Sequence, residues 1–137
     1  MYIDSNIFIY AAIDNGEKGE RARKVVEKVL NGEVKGSVSA LVIDEVIWVV
    51  QRMTDRNVAE RVARLIMSMP LIWMDISYQT AKYAMKYYRE GLDPRDAFHA
   101  AVMEEYGIQE ILSEDRDFEK VRDIRRISLK ELVDREN

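Results

Sequence analysis

Four short stretches of this chain hold carboxylates where an ordinary globular sequence has little use for them. In "YIDSN" (residues 2–6), Asp4 ends a short apolar run, and apolar character resumes only at Ile7. Such an acid reads either as a helix cap, a position that favours Asp, Ser and Asn, or as a carboxylate at the carboxyl end of a sheet strand, where open α/β folds bind ligands. In "SALVIDEVIWVVQRM" (residues 39–53), helical spacing puts Asp44, Gln51 and Arg52 in the polar arc and Glu45 at its margin, beside Val42 and Val49. A carboxylate there needs compensation for lost hydration, or reaches water and pairs with Arg52 or Arg56. Asp44, more central in the arc, stays open as the functional acid. In "GLDPRDAFHAAVM" (residues 91–103), Pro94 opens a helix and sets Asp96 in its first turn, where free N–H groups and the helix dipole favour an anion. Asp93 and His99 crowd the same end, and the small apolar residues that follow imply deep burial. In "ILSEDRDFEKV" (residues 111–121), Glu114, Asp115 and Asp117 follow a strand. Acids so close repel unless solvated or bound to a cation, and Phe118 suggests a loop folded back onto the core.

The chemistry open to such residues is narrowed by what the chain lacks. It has no cysteine and one histidine in 137 residues. That removes thiolate nucleophiles, disulfides and zinc ribbons, and any nuclease that uses two histidines as acid and base. His99 is expected to be a structural histidine with its hydrogen bonds satisfied. With 47% hydrophobic and 34% charged residues, the composition is that of a soluble globular domain. A net charge of −4 argues mildly against a nucleic-acid binder, although cations held by clustered acids would reverse the local field. No apolar stretch approaches the roughly 18–20 residues of a membrane span, and the chain is expected to open directly in a strand, without a signal peptide. A cytoplasmic location and no membrane partner are expected.

The acids must be positioned by alternating strands and helices. Met1–Asp4 reads as a strand, followed by a short helix to about Ile13 and an amphipathic helix over Glu17–Leu30 that Asn31–Gly32 stops. Strands are expected at Val34–Val38, Leu71–Met74, Ile111–Leu112 and Ile124–Ile127. Helices are expected from Ser39 to Met53, Asn57 to Met69, Ser77 to Arg89, Pro94 to Tyr106 and Ser128 to Val133, with the last residues fraying. This alternation implies a single-domain α/β fold over residues 1–137, a three-layer α/β/α sandwich with a central parallel sheet of four or five strands.

Taken in order, "YIDSNIFIY", the acid within "SALVIDEVIWVV", "DPRDAFHAAVM" and "ILSEDRDF" resemble the motifs of PIN-domain ribonucleases, in particular the VapC-like toxins, over nearly the whole chain. The resemblance implies metal-dependent cleavage of RNA by a quartet of acids around Mg²⁺ or Mn²⁺, here Asp4, Glu45, Asp96 and Asp115. Asp4, Asp96 and Asp115 would bind metal, and Glu45 would complete the site or orient the attacking water. Asn6 and Ser113 match the family's small polar residues near the first and last acids, and Asp117 is an extra acid in support. On this view Asp4 is a ligand, and Ser5 and Asn6 do the capping. The chemistry agrees: Mg²⁺ takes oxygen donors and keeps several waters, and two such ions about 3.5–4 Å apart can activate water and stabilise a leaving oxygen.

The same resemblance implies an RNA substrate, a small antitoxin protein as partner, and a homodimer. The apolar excess on the helices over Asn57–Met69 and Ser77–Arg89, from Leu65 to Tyr88, would supply the two-fold surface in part. Arg52, Arg56, Lys82, Lys86, Arg89 and Arg95 are available for an RNA track, with Tyr87 or Tyr88 as a stacking face. Two alternatives stay open: a housekeeping RNA-processing nuclease, and a non-catalytic module that binds RNA or protein. A phosphatase of the haloacid dehalogenase type would want a second Asp where Asn6 stands.

Overall fold

The computed structural model of the chain describes residues 1–135. Its elements run β1 (Tyr2–Ile3), α1 (Ser5–Ile13), α2 (Glu17–Leu30), β2 (Ser37–Ser39), α3 (Ala40–Met53), α4 (Arg56–Ser68), β3 (Ile72–Met74), α5 (Tyr78–Arg89), α6 (Pro94–Glu105), β4 (Glu110–Leu112), a 3₁₀ turn (Arg116–Lys120), β5 (Arg125–Ile127) and α7 (Leu129–Arg135). The expected fraying concerns the last residues, which lie outside the described residues.

The five strands form one parallel sheet in the order β3-β2-β1-β4-β5, with Tyr2 opposite both Ser37 and Ile111, and Leu112 opposite Ile127. Parallel strands need crossovers, and these are right-handed. The chain steps from β1 outward through β2 to β3, which sets α1–α4 on one face. It then returns to β4 on the other side of β1, which sets α5 and α6 on the opposite face; α7 packs back against α2. The three-layer expectation therefore holds. Strand order reverses between β1 and β4, so a crevice opens beyond their carboxyl ends, where such sheets bind ligands.

Local sequence accounts for most elements. Ala22, Val25 and Val29 give α2 one buried stripe. Ser77 and Thr80 form a reciprocal capping box at the start of α5. Ala97, Ala100 and Ala101 let α6 sink into the core, where its residues from His99 to Met103 are buried. Between α1 and α2, Asp14 Oδ2 accepts from the backbone N–H of Gly16 (3.1 Å) and Gly19 (2.7 Å). Gly19 is there because a Cβ would lie 2.0 Å from the Asp14 carbonyl oxygen.

Some boundaries differ from expectation. β2 is Ser37–Ser39 rather than Val34–Val38, because its ladder is fixed by pairing with both β1 and β3. The loop after β4 tightens into the 3₁₀ turn, which the sequence reading missed; Phe118 within it is fully buried, as expected of a loop folded onto the core. No helix among the described residues is long and apolar enough to cross a membrane.

Candidate active site

Asp4 sits at the end of the central strand, 3% exposed. It is the N-cap of α1, and its Oδ1 accepts from Ser5 N at 2.7 Å. Capping thus falls to Asp4 itself, not to Ser5 and Asn6. The two readings of this acid are compatible, because the cap holds the carboxylate at the crevice. Its Oδ2 accepts from Ser113 Oγ (2.6 Å) and Asn6 Nδ2 (3.1 Å). Ser113 in turn accepts from Asn6 Nδ2 (3.1 Å) and from Asp115 N (3.0 Å). Two of the three supporting residues named from the sequence, Asn6 and Ser113, therefore join the carboxyl ends of β1 and β4.

Glu45 is half-buried and turned inward, whereas Asp44 is exposed and lies 3.7 Å from Arg95. Glu45 Oε2 accepts from Ser5 Oγ at 3.3 Å, and Oε1 is bonded to His99 Nε2. Neither Arg52 nor Arg56 is its partner: Arg52 lies over the Trp48 ring instead. His99 is fully buried with its bonds made, as expected, but it belongs to the site. Its Nε2 lies 3.9 Å from Asp4 Oδ1, and its Nδ1 is 2.6 Å from the buried Tyr2 hydroxyl. Tyr2 is also 2.8 Å from Ser39 Oγ. Ser39 stands at the N-cap of α3 without capping it, its hydroxyl being engaged with Tyr2. Tyr2, Ser5 and Ser39 are site residues that the sequence reading missed. The available signal was Tyr2 itself, a hydroxyl in a buried strand two residues before Asp4 and so on the same face.

Asp96 occupies the first turn of α6, as expected, behind Asp93 and Pro94. It comes together with Asp115 and Asp117, one carboxylate oxygen from each lying within 4.8 Å of the others; carboxylate oxygens of Asp4 and Glu45 and a ring nitrogen of His99 make a second group at the same spacing. Asp115 caps the 3₁₀ turn by accepting from Asp117 N at 2.9 Å, and Asp117 also meets Lys120 at 3.3 Å. The seven residues expected to form the site (Asp4, Asn6, Glu45, Asp96, Ser113, Asp115 and Asp117) thus gather beyond the carboxyl ends of β1 and β4.

The electrostatics are those of crowded acids. Burial, followed by the charges of Asp4 and Asp115, raises the Asp96 carboxyl from 3.8 to about 8. Burial likewise raises Asp4, against the opposing pull of His99 and the Ser113 hydrogen bond. On His99, burial acts downward but is outweighed by the Glu45 hydrogen bond and the charges of Asp4, Glu45 and Asp96, so its pKa rises. Near neutrality the cation-free site therefore retains protons that separated carboxyls would have lost.

These residues suit a hard divalent cation. Asp96, Asp115 and Asp117 offer an all-carboxylate set, and Asp4 and Glu45 add two more carboxylates beside the His99 ring nitrogen; oxygen donors of this kind are what Mg²⁺ and Mn²⁺ take. A cation bound among them would offset both the lost hydration and the repulsion that raise the Asp96 carboxyl.

Other expectations fare unevenly. Tyr87 is 2% exposed and cannot offer a stacking face, whereas Tyr88 is exposed. Lys86 is paired with Glu104 at 3.1 Å rather than free for RNA. Leu65, Met67, Met85 and Tyr88 stand exposed, while Ile66 packs inward.

The sequence matches the PIN domain family over residues 1–124. No match is found among curated proteins. Among solved structures, the chain is similar to VapC20 of Mycobacterium tuberculosis, described as a sarcin-ricin loop cleaving toxin, with 17% identity and a TM-score of 0.71 over 86% of this chain and 92% of that one. It is similar to the DNA-bound VapBC of Salmonella typhimurium, with 18% identity and a TM-score of 0.71 over 93% and 96%. A Klebsiella pneumoniae toxin-antitoxin complex matches with 18% identity and a TM-score of 0.66 over 90% and 94%.

Proposed function

Because this chain belongs to the PIN domain family, we propose that it is a divalent-metal-dependent endoribonuclease whose centre is built from Asp4, Glu45, Asp96 and Asp115. One observation carries the reading: acids from four different elements converge at the β1/β4 crevice, in donor groups tight enough for a cation. Asp4, Asp96 and Asp115 would hold Mg²⁺ or Mn²⁺, with Asp117 beside them. The ion, when bound, supplies Lewis-acid stabilisation of charge developing on the phosphate and makes water easier to deprotonate.

The chain's own groups do the rest. Glu45, whose carboxylate takes its hydrogen bonds from side chains alone, orients the attacking water and accepts its proton. Ser113 and Asn6 fix one Asp4 oxygen by hydrogen bonds, and Ser5 N fixes the other. Asp96, at a helix N-terminus, stays close to the reacting phosphate without the flexibility of a surface acid.

The VapC and toxin-antitoxin neighbours support a toxin role in the cytoplasm, with a small antitoxin as partner. An open apolar groove lined by Phe8, Ala11, Val26, Val62, Leu65 and Met69 offers a seat for a partner's amphipathic helix. The negative crevice would accept an Arg from the same partner as readily as a cation. The exposed apolar residues of α4 and α5 support a homodimer. The test is direct: purified protein should cut RNA with Mn²⁺ or Mg²⁺ and stop on adding EDTA. Cutting that persists without metal after rigorous repurification overturns the mechanism.

A further inference from the structure

His99 is buried completely among three elements that each carry an acid of the site. It lies on α6 three residues beyond Asp96, bonds Glu45 of α3 through Nε2, and meets β1 through the Tyr2 hydroxyl, two residues before Asp4. Donor arithmetic orders the chain of bonds. A carboxylate accepts, so Nε2 carries the hydrogen given to Glu45. In the neutral ring Nδ1 then accepts from Tyr2, whose oxygen accepts from Ser39.

A core that needed only to be filled would not hold these groups. Tyr2 is 0% exposed, and a Phe would bury the same ring without a hydroxyl to satisfy. Ser39 stands at a helix N-cap and forgoes the cap bond to reach Tyr2. Two local rules are broken at one place, as happens at functional sites.

We infer that His99, braced by Tyr2 and Ser39, is a positioning residue that fixes the Glu45 carboxylate for the centre proposed above, on which reading the inference rests. Glu45 has a long side chain at the margin of the apolar face of α3, free to swing to solvent beside Asp44. With Oε1 tied to His99 and Oε2 receiving Ser5 Oγ, the carboxylate is held toward Asp4. Partners of this outer kind commonly change metal affinity or activity by about 10–100-fold.

The test measures Mn²⁺ binding by calorimetry on the full chain, beside a thermal melt and cleavage kinetics. Tyr2→Phe should keep a cooperative melt, weaken Mn²⁺ binding by about tenfold and lower kcat more than it raises KM. His99→Leu should weaken binding further, and His99→Gln, which keeps a donor for Glu45, should recover most of it. If His99→Leu does not fold, Tyr2→Phe still decides. Wild type that binds Mn²⁺ while folded Tyr2→Phe binds and cuts equally well overturns the positioning role alone. Wild type that binds no Mn²⁺ overturns the metal centre and this inference with it.

Discussion

Replacing Asp96 with Asn should make the metal-free protein more stable while destroying its activity. A carboxyl moved from 3.8 to about 8 by folding binds its proton more tightly in the native than in the unfolded state. Below the unfolded value both states are protonated and the group costs nothing. As pH rises from about 4 to about 8 the unfolded chain gains an ionised Asp that the native site resists, so native stability falls; above about 8 the loss is complete. The full displacement corresponds to about 6 kcal/mol as a ceiling, reduced by solvent screening at this partly exposed carboxyl. Asp4 and Asp115 share the repulsion, so one substitution should recover about 1–3 kcal/mol of it. Asn imitates the protonated acid at every pH. Denaturant unfolding in EDTA should therefore show variant and wild type nearly matched at pH 4, diverging toward pH 8 and parallel beyond. Mn²⁺ at about a hundred times its Kd should add about 2.7 kcal/mol to wild type and much less to the variant. A variant less stable than wild type at pH 8 in EDTA, or a gap that does not change with pH, refutes the reasoning.

Glu45→Gln should abolish cleavage with the fold intact, whereas Asp44→Asn, on an exposed acid facing Arg95, should be mild; the reverse outcome in a cleavage assay would reassign the helix face. Gly19→Ala should cost about 2 kcal/mol or more in urea unfolding, because the new methyl meets the Asp14 backbone at 2.0 Å, and an unshifted midpoint would contradict that packing. Sedimentation at high micromolar concentration should report a dimer, and Leu65→Lys with Met67→Lys should shift it toward monomer; a monomeric wild type counts against the α4–α5 surface. Expression of this chain alone should arrest host growth, relieved by Asp96→Asn or by the cognate partner, and harmless expression of active enzyme would favour a housekeeping nuclease.

What could be read from the sequence follows from the range of the forces involved. The Glu17–Leu30 helix was legible to the residue because its stripe of Ala22, Val25 and Val29 repeats at helical spacing and Asn31–Gly32 ends it. β2 was misplaced because a three-residue strand buried at every position has no alternation to read. Tyr87 was offered as exposed although Thr80, Ala84 and Tyr87 follow inward helical spacing, a signal that was there to use. The acids were legible as misplaced charges, each costly on its own stretch. The brace was not: Tyr2 and His99 stand 97 residues apart, and no local pattern couples a hydroxyl on the first strand to an imidazole on the sixth helix.

The bond from Ser113 to Asp4 spans 109 residues and joins the first strand to the fourth. During translation at about 5–20 residues per second, Asp4 leaves the ribosome roughly 5–20 s before Ser113 does. During that interval Glu45 and then Asp96 join Asp4, but the strand that brings in Asp115 is still missing. On the function proposed above, a nascent chain that has not yet exposed β4 should be inert beside the ribosome that is making it, because Asp115 follows that strand. Ribosome-stalled chains exposing residues up to about 105 should neither cut RNA nor bind Mn²⁺ tightly, whereas chains exposing β4 and the 3₁₀ turn should do both.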